Sequence, residues 1–268
     1  MRALCQHYGV TRAGYYAWRR RKPSRHARQD ERLLVRIRAI FEASEETYGS
    51  PRIHAALKQA GWRVGRKRIA RLMREAALKA RSARIYRRTP GTRRFFSGIP
   101  NRVLDVTTTA PGQIWVADVT YLRSGGRWRY LAVVLDRHSR RVLGWGLTVR
   151  RDLRLTLAAL NRALRQGRRG SGLIFHSDRG VEYSAYGFRA RLAALGISQS
   201  MKRPREIGDN AFAESFFHSM KADVIHGRVF RDDSTLRQTV GQFIRRYNRS
   251  RLHSSLGYRS PIGYEHAA

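Results

Sequence analysis

The segment 114–122 reads IWVADVTYL, a run of β-branched and aromatic residues with one carboxylate, Asp118, at its centre. Similar runs follow at 128–135 and 141–149, and short turn sequences separate the three. Strand-forming runs joined by turn residues are typical of antiparallel strands that follow one another in a sheet. The sequence therefore predicts a three-stranded meander.

Helices and strands alternate after the meander. A short apolar run such as Leu173 to His176 is typical of a buried parallel strand. The predicted elements are a helix at 153–165, this strand, a helix at 185–194, a strand near Ile197 and a helix from Asp209. Three antiparallel strands followed by this alternation is the order of the RNase H-like α/β fold. We predict that fold for residues 113–230, with residues 231–268 as a C-terminal helix and tail that close it.

Residues 1–80 are predicted to be all-helical. Two short helices flank Gly9, with Thr11 as the cap of the second, and a charged amphipathic helix covers 24–44. Pro51 at a first helical turn and Gly61 at a break then punctuate a helix-turn-helix.

The second helix of this pair carries the predicted DNA contacts, Arg66, Lys67, Arg68 and Arg71. An ordinary helical hairpin with a solvated basic face is the alternative, and the charge of the whole chain favours DNA. Residues 81–112 read as a basic linker, which could lie along DNA or act only as a tether.

The net charge is +36 in 268 residues, from 55 Lys and Arg against 19 acids, and all but six of the 55 are Arg. Such an excess indicates a polyanionic partner, and the planar guanidinium matches phosphate, so the partner predicted is a nucleic acid rather than a membrane. A merely soluble protein with a high charge is the alternative. The single cysteine excludes an internal disulfide and Cys-rich zinc modules. No apolar run is long enough to cross a bilayer, and the cysteine usage fits a reducing cytosol.

Three acids are candidates for the catalytic site: Asp118, Asp178 and Glu214. Each has a structural alternative: a satisfied aspartate of an edge strand for Asp118, a turn cap for Asp178 and an ordinary exposed helix face for Glu214. Asp178 directly follows a predicted strand, where ligand sites form in α/β sheets. Between Asp118 and Asp178 lie 59 residues, and between Asp178 and Glu214 lie 35.

The helix that carries Glu214 is amphipathic. Its predicted core side carries Phe212, Ala213, Phe216, Met220 and Val224. Its other side groups four polar residues at helical spacing. Those are Asn210, Glu214, His218 and Lys221.

Three converging carboxylates would repel one another without a cation between them. Oxygen ligands suit Mg²⁺ or Mn²⁺, and two such ions can promote an in-line phosphoryl displacement.

At these residues the sequence closely resembles the OrfB-type transposases of bacterial insertion sequences, whose core is similar to retroviral integrase. The resemblance covers nearly the whole chain. It is carried by Tyr48-Gly49 to Arg74-Glu75, Trp115 to Tyr121, Leu135-Asp136-Arg137 with Ser139-Arg140 and Gly144-Trp145, His176 to Gly180 with Tyr183, Gly208 to Phe217 with Lys221, and Tyr247-Asn248, Arg251, His253, Leu256-Gly257-Tyr258 and Ser260-Pro261.

The resemblance implies a DNA transposase with an acidic catalytic triad, Asp118, Asp178 and Glu214, and two divalent ions. Water would cut one strand at an element end, and the freed 3′-hydroxyl would attack target DNA. Lys221 and Asn210 would hold DNA near the scissile phosphate, and His218 shares their helix face. The resemblance also implies a homo-oligomer on DNA and a fusion with, or partner from, an upstream reading frame. It further implies a bacterial cytoplasmic protein associated with the nucleoid.

Two positions depart from the family pattern: Asp223 stands where Glu is expected, and Glu182 adds an acid beside the second motif. We predict a structural role for Asp136 and a helix-capping role for Asp209. A nuclease of the same fold and a non-catalytic DNA-binding repressor remain as alternatives.

Overall fold

The computed structural model describes residues 1–20, 24–80, 98–203 and 209–267. It divides the chain into two units, Met1–Ala80 and Arg81–Ala268. Most of the predicted linker, residues 81–97, lies outside the described residues. Among the described residues, no helix has the length and apolar character needed to cross a bilayer.

The N-terminal unit is built from helices. They are α1 (Arg2–His7), α2 (Arg12–Arg19), α3 (Arg25–Ala43), α4 (Ser50–Gln59) and α5 (Arg66–Glu75). The Thr11 hydroxyl accepts a hydrogen bond from the Gly14 amide, so the predicted cap of α2 is present. The turn between α4 and α5 contains Gly61 with φ of +82°, a left-handed conformation that favours glycine.

The core of this unit is formed by apolar side chains of α3, α4 and α5. Each helix has them at three- and four-residue spacing, so that one stripe faces its neighbours. The buried side chains of this stripe include Leu33, Ile37, Ile53, Leu57, Ile69 and Leu72.

The second unit contains a mixed five-stranded sheet. Its strands are β1 (Ile114–Ser124), β2 (Arg127–Asp136), β3 (Val142–Thr148), β4 (Ile174–Ser177) and β5 (Ser198–Met201). They lie in the order β3-β2-β1-β4-β5. The strands β1, β2 and β3 are antiparallel, and β4 and β5 run parallel to β1. The predicted meander and the two later strands are confirmed.

Helices cover both faces of the sheet. They are α6 (Leu153–Gln166), α7 (Val181–Ser184), α8 (Tyr186–Ala194), α9 (Ala211–Met220), α10 (Asp233–Arg249) and α11 (Pro261–Glu265), with a π-helical turn at Lys221–Ile225 and a 3-10 turn at Ser254–Leu256. One apolar cluster joins α9 and α10 to the sheet, and the other joins α6 and α8 to its opposite face.

Helix α6 lies unusually close to β3. A Cβ at Gly144 would stand 2.1 Å from the carbonyl oxygen of Ala159 and 2.5 Å from the amide of Ala163. Only a glycine allows this approach, because those atoms belong to the helix backbone.

The C-terminal signature serves the fold. The Asn248 side chain accepts from the Val142 amide and donates to the Val142 carbonyl, each at 2.9 Å, at the start of β3. Arg251 contacts the buried carboxylate of Asp223. Residues 98–112 also pack on the core, where Val103 is buried and its carbonyl accepts from Arg137.

Candidate active site

Asp118, within β1, and Asp178, directly after β4, stand at neighbouring positions of two parallel strands. The register of β1 and β4 pairs Ala117 with Ser177, so each aspartate is the next residue beyond a paired couple. Neighbouring strands lie about 4.8 Å apart, and residues in register share a face of the sheet. The two acids, with 59 residues between them in sequence, are therefore brought together by strand pairing.

Two side chains fix the start of α9 beside these aspartates. The Asn210 amide donates to the Ala117 carbonyl at 3.1 Å, directly before Asp118. His176 Nε2 lies 3.0 Å from the carbonyl oxygen of Asp209. Glu214 is one turn further along, with its backbone amide bonded to the Asn210 carbonyl. The helix is thus tied to both strands that carry the aspartates.

His176 is buried and neutral. Burial lowers the pKa of His176 to about 4. Its Nδ1 lies 2.9 Å from the Ser200 hydroxyl, which itself accepts from the Arg102 amide. An imidazole protonated at Nε2 satisfies all three hydrogen bonds. No pattern in the sequence indicated this role, because Ser200 and Asp209 meet His176 only in the folded sheet.

The carboxylates interact electrostatically. Burial first, and then the negative charges of Asp178 and Glu214, raise the pKa of Asp118 to about 8. Burial and Glu182 raise the pKa of Asp178. A positive ion bound between these groups would relieve both effects, since each arises from an unfavourable ionised form.

The acids are not already arranged as a closed metal cage. Among the residues that the structure describes, no group of three His, Cys, Asp or Glu side chains lies close enough to hold a metal ion. The arrangement is therefore two aspartates in register, with Glu214 close enough to influence Asp118.

The predicted polar face of α9 needs correction at its first residue. Asn210 is buried rather than exposed, because it precedes the helix and its amide reaches under it to β1. Its Oδ1 is buried and has no hydrogen-bond partner among the described residues. On the opposite side, Phe212 is only half-buried, and the guanidiniums of Arg137 and Arg140 lie over its ring.

The predicted helix cap at Asp209 is wrong. The residue that precedes α9 is Asn210, and no side chain caps the helix. Asp209 instead accepts from Asn101 at 2.8 Å and from the Arg203 amide and guanidinium. The Arg203 hydrogen bond lowers the pKa of Asp209 to about 2.

The structural role predicted for Asp136 is confirmed. Its buried carboxylate accepts from the backbone amides of Gly112, His138 and Ser139, at 2.7, 2.9 and 2.9 Å. It therefore organises the turn between β2 and β3.

Lys221 and His218 lie at the other end of α9. The Lys221 ammonium is 4.9 Å from the centre of the Tyr121 ring, and burial lowers the pKa of Lys221 although Asp118 opposes that effect. The π-helical turn begins at Lys221, so its direction departs from ideal α-helical spacing. His218 is exposed.

The predicted DNA contacts of the N-terminal unit fall into two pairs. Arg66 and Lys67 are exposed. Arg68 and Arg71 both bind the carboxylate of Asp30 on α3, each at 2.6 Å. The second pair therefore helps to hold α5 against α3.

Three family models match the chain. Two are described as integrase core domains and match residues 108–206 and 195–261. The third is described as an HTH-like domain and matches residues 28–86.

Curated relatives match over almost the full length. The chain is 38% identical over 267 residues to the 31 kDa protein of insertion element IS600 from Shigella sonnei, with 97% of each chain covered. It is 36% identical over 272 residues to transposase InsF of insertion sequence IS3A from Escherichia coli K12, covering 99% of this chain and 93% of the relative. The chain belongs to the IS3 family of transposases.

Two solved structures from retroviral integration are similar to the chain. The catalytic core of HTLV-2 integrase, solved with magnesium, gives a TM-score of 0.45 over 60% of this chain. The integrase of the simian T-cell lymphotropic virus intasome superposes with a TM-score of 0.50 over 80% of this chain and 70% of that one, at 15% identity. The transposase therefore has a retroviral integrase-like α/β core preceded by a helical HTH-like region. It is a polynucleotidyl transferase, and its partner is DNA.

Proposed function

We propose that this transposase cuts one strand at the ends of its insertion sequence and joins the freed 3′-hydroxyls to target DNA, with Asp118, Asp178 and Glu214 as the catalytic acids. The observation that carries the proposal is the register of β1 and β4, which sets Asp118 and Asp178 side by side. The ties from Asn210 and His176 to the start of α9 support Glu214 as the third acid.

The donor set fits magnesium or manganese. Carboxylate oxygens are hard ligands, which these two ions prefer. The raised pKa of Asp118, about 8, is expected where neighbouring carboxylates repel one another in the absence of a bound cation. Asp118, Asp178 and Glu214 would hold two ions between them. When bound, the ions would stabilise the charge that develops on the phosphate during displacement.

The remaining residues would place the DNA. Lys221 lies beside the Tyr121 ring and under the influence of Asp118, so it is suited to bind a phosphate near the acids. His218, exposed on α9 between Glu214 and Lys221, offers a further donor. Asn210, being buried, would position Glu214 instead of contacting DNA.

Residues 1–80 would bind DNA through the helix-turn-helix, with the exposed Arg66 and Lys67 as the phosphate contacts. Residues 81–112 would link that region to the core at 113–230, which residues 231–268 close. Two element ends must be processed together, so we propose a homo-oligomer on DNA and a partner or fusion from the upstream frame. Light scattering of the DNA complex with and without the upstream product tests both.

A strand-transfer assay tests the function. Duplexes with a pre-cleaved element end and a labelled target are incubated in Mg²⁺ with the wild type, Asp118→Asn, Asp178→Asn and Glu214→Gln. The three variants should lose joined product, while Asp105→Asn, at an exposed acid, should retain it. Hydrolysis without joining by the wild type would favour a nuclease. DNA binding without hydrolysis or joining would favour a repressor. Full activity of Glu214→Gln would refute the assigned triad.

A further inference from the structure

An ion pair between Arg151 and Glu182 lies beside the proposed catalytic acids. The side chain of Glu182, on α7, is 0% exposed. Its Oε1 accepts a hydrogen bond from Arg151 Nε at 2.9 Å, and Arg151 Nη2 lies 2.8 Å from the same oxygen. Glu182 Oε2 is buried and has no hydrogen-bond partner among the described residues. Burying a carboxylate is costly without a counter-charge, and Arg151 supplies that counter-charge to Glu182.

Gly180 makes the space for this pair. A Cβ on Gly180 would lie 2.4 Å from Glu182 Oε1 and 3.0 Å from Arg151 Nη2. Its φ of −65° is open to any residue, so the requirement is for room and not for an unusual backbone conformation. The loop that carries Asp178 is thus shaped around the Arg151–Glu182 pair.

Arg151 lies beside Asp178 and has hydrogen-bond donors that Glu182 does not use. It stands between β3 and α6, its side chain is 41% exposed, and its Nη2 is 3.9 Å from Asp178 Oδ2. Although partial burial opposes its charge, the bond to Glu182 and the charges of Asp178 and Asp118 raise the pKa of Arg151. Its Nη1 donates to none of the described residues, so the fork has hydrogen atoms free for a ligand.

We infer that Arg151 is a further DNA contact of the active centre, which binds a phosphate of the strand being processed while Glu182 holds its guanidinium in place. A fixed, half-exposed guanidinium matches phosphate geometry and loses little freedom on binding. This inference rests on the proposed function, since it takes Asp178 to mark where DNA is processed.

The test separates a DNA contact from a structural ion pair. Arg151→Gln leaves Glu182 buried without its counter-ion, so it should unfold at a lower denaturant concentration. The double variant Arg151→Gln/Glu182→Gln removes both charges and should recover most of that stability. Affinity for a labelled mixed-sequence DNA duplex is measured in EDTA, so that the readout does not depend on catalysis.

Both Arg151→Gln proteins, single and double, should bind DNA roughly five- to tenfold more weakly, with the slope of log affinity against log salt reduced by about 0.9, one phosphate contact. Arg151→Lys should recover the slope and part of the affinity, and Glu182→Gln, which keeps the cation, should lose less than Arg151→Gln. The matched control is Arg129→Gln/Asp233→Asn, which removes an ion pair of 2.8 Å between β2 and α10. Because it leaves the net charge unchanged, as the double Arg151 variant also does, it should leave DNA affinity and the salt slope unchanged.

Wild-type affinity and slope in the stable double variant would overturn the inference, because Arg151 would then serve only to neutralise Glu182. Activity of Glu214→Gln is a separate result. If that variant cuts and joins DNA, the proposed triad fails, while a reduced slope in the Arg151 variants would still identify a DNA contact.

Discussion

Asp118 and Asp178 each directly follow one member of the last pair of residues in register between β1 and β4, Ala117 with Ser177. Because β1 and β4 are neighbours in the sheet, this register places the two carboxylates close together. The negative charges of Asp178 and Glu214 contribute to the raised pKa of Asp118. The fold therefore holds charges together that oppose each other unless a cation joins them.

Asp118→Asn should stabilise the metal-free protein. The folded-state pKa of about 8 lies above the unfolded value of 3.8, so the folded protein binds the extra proton in that window and loses stability as pH rises through it. Asp118→Asn does not lose stability in this way. The difference in free energy of unfolding between the variant and the wild type should therefore be small near pH 4 and greatest above pH 8. Urea unfolding in EDTA at several pH values measures it, and Mg²⁺ should stabilise the wild type more than the variant. A stability difference that does not increase with pH would contradict the raised pKa of Asp118.

Asn210→Ala should reduce strand transfer far more than DNA affinity. The variant removes the bond to the Ala117 carbonyl, and a displacement of about 1 Å in a catalytic group can cost roughly 100-fold in rate. Rates and dissociation constants are compared with those of Asn248→Ala, which breaks buried bonds to Val142 away from the acids. A large decrease in DNA affinity with a normal rate would show instead that Asn210 contacts DNA directly.

Gly144→Ala should destabilise the core. The new methyl group would collide with the Ala159 carbonyl and the Ala163 amide, and relief requires α6 to move off β3. We expect a decrease of about 3 kcal/mol in the free energy of unfolding, the upper part of the range for overpacked sites. Gly98→Ala is the control, because a Cβ there meets nothing within 4 Å. Equal stability of the two variants would show that α6 does not pack as described.

Arg66→Ala/Lys67→Ala should weaken DNA binding while leaving stability unchanged. Both side chains are exposed, and removal of each phosphate-binding cation should lower the salt slope by about 0.9. Asp30→Asn, which releases Arg68 and Arg71, should lower the melting temperature of the N-terminal unit while leaving the positive charges of α5 in place. An unchanged salt slope in the double variant would place the DNA contacts elsewhere.

Much of the fold could be predicted from the sequence. Strand composition and turn residues indicated the meander, and the apolar run before Asp178 indicated β4, because local patterns of apolar residues report which face is buried. The order of the motifs was sufficient to identify the family. Helix periodicity also placed Glu214 on a polar side of α9, although it misplaced Asn210, which lies just before the helix and does not follow helical spacing.

The sequence by itself determined the three acids, their order along the chain and the basic character of the protein, since these depend on residue identity and local pattern. Only the tertiary structure decided which polar groups became partners. It placed Asn210 under Ala117, His176 against Asp209, Asp30 between Arg68 and Arg71, and Arg151 on Glu182 beside Asp178. Such pairs join residues distant in sequence, and their formation depends on the register of the strands and the packing of the helices, which no local pattern encodes.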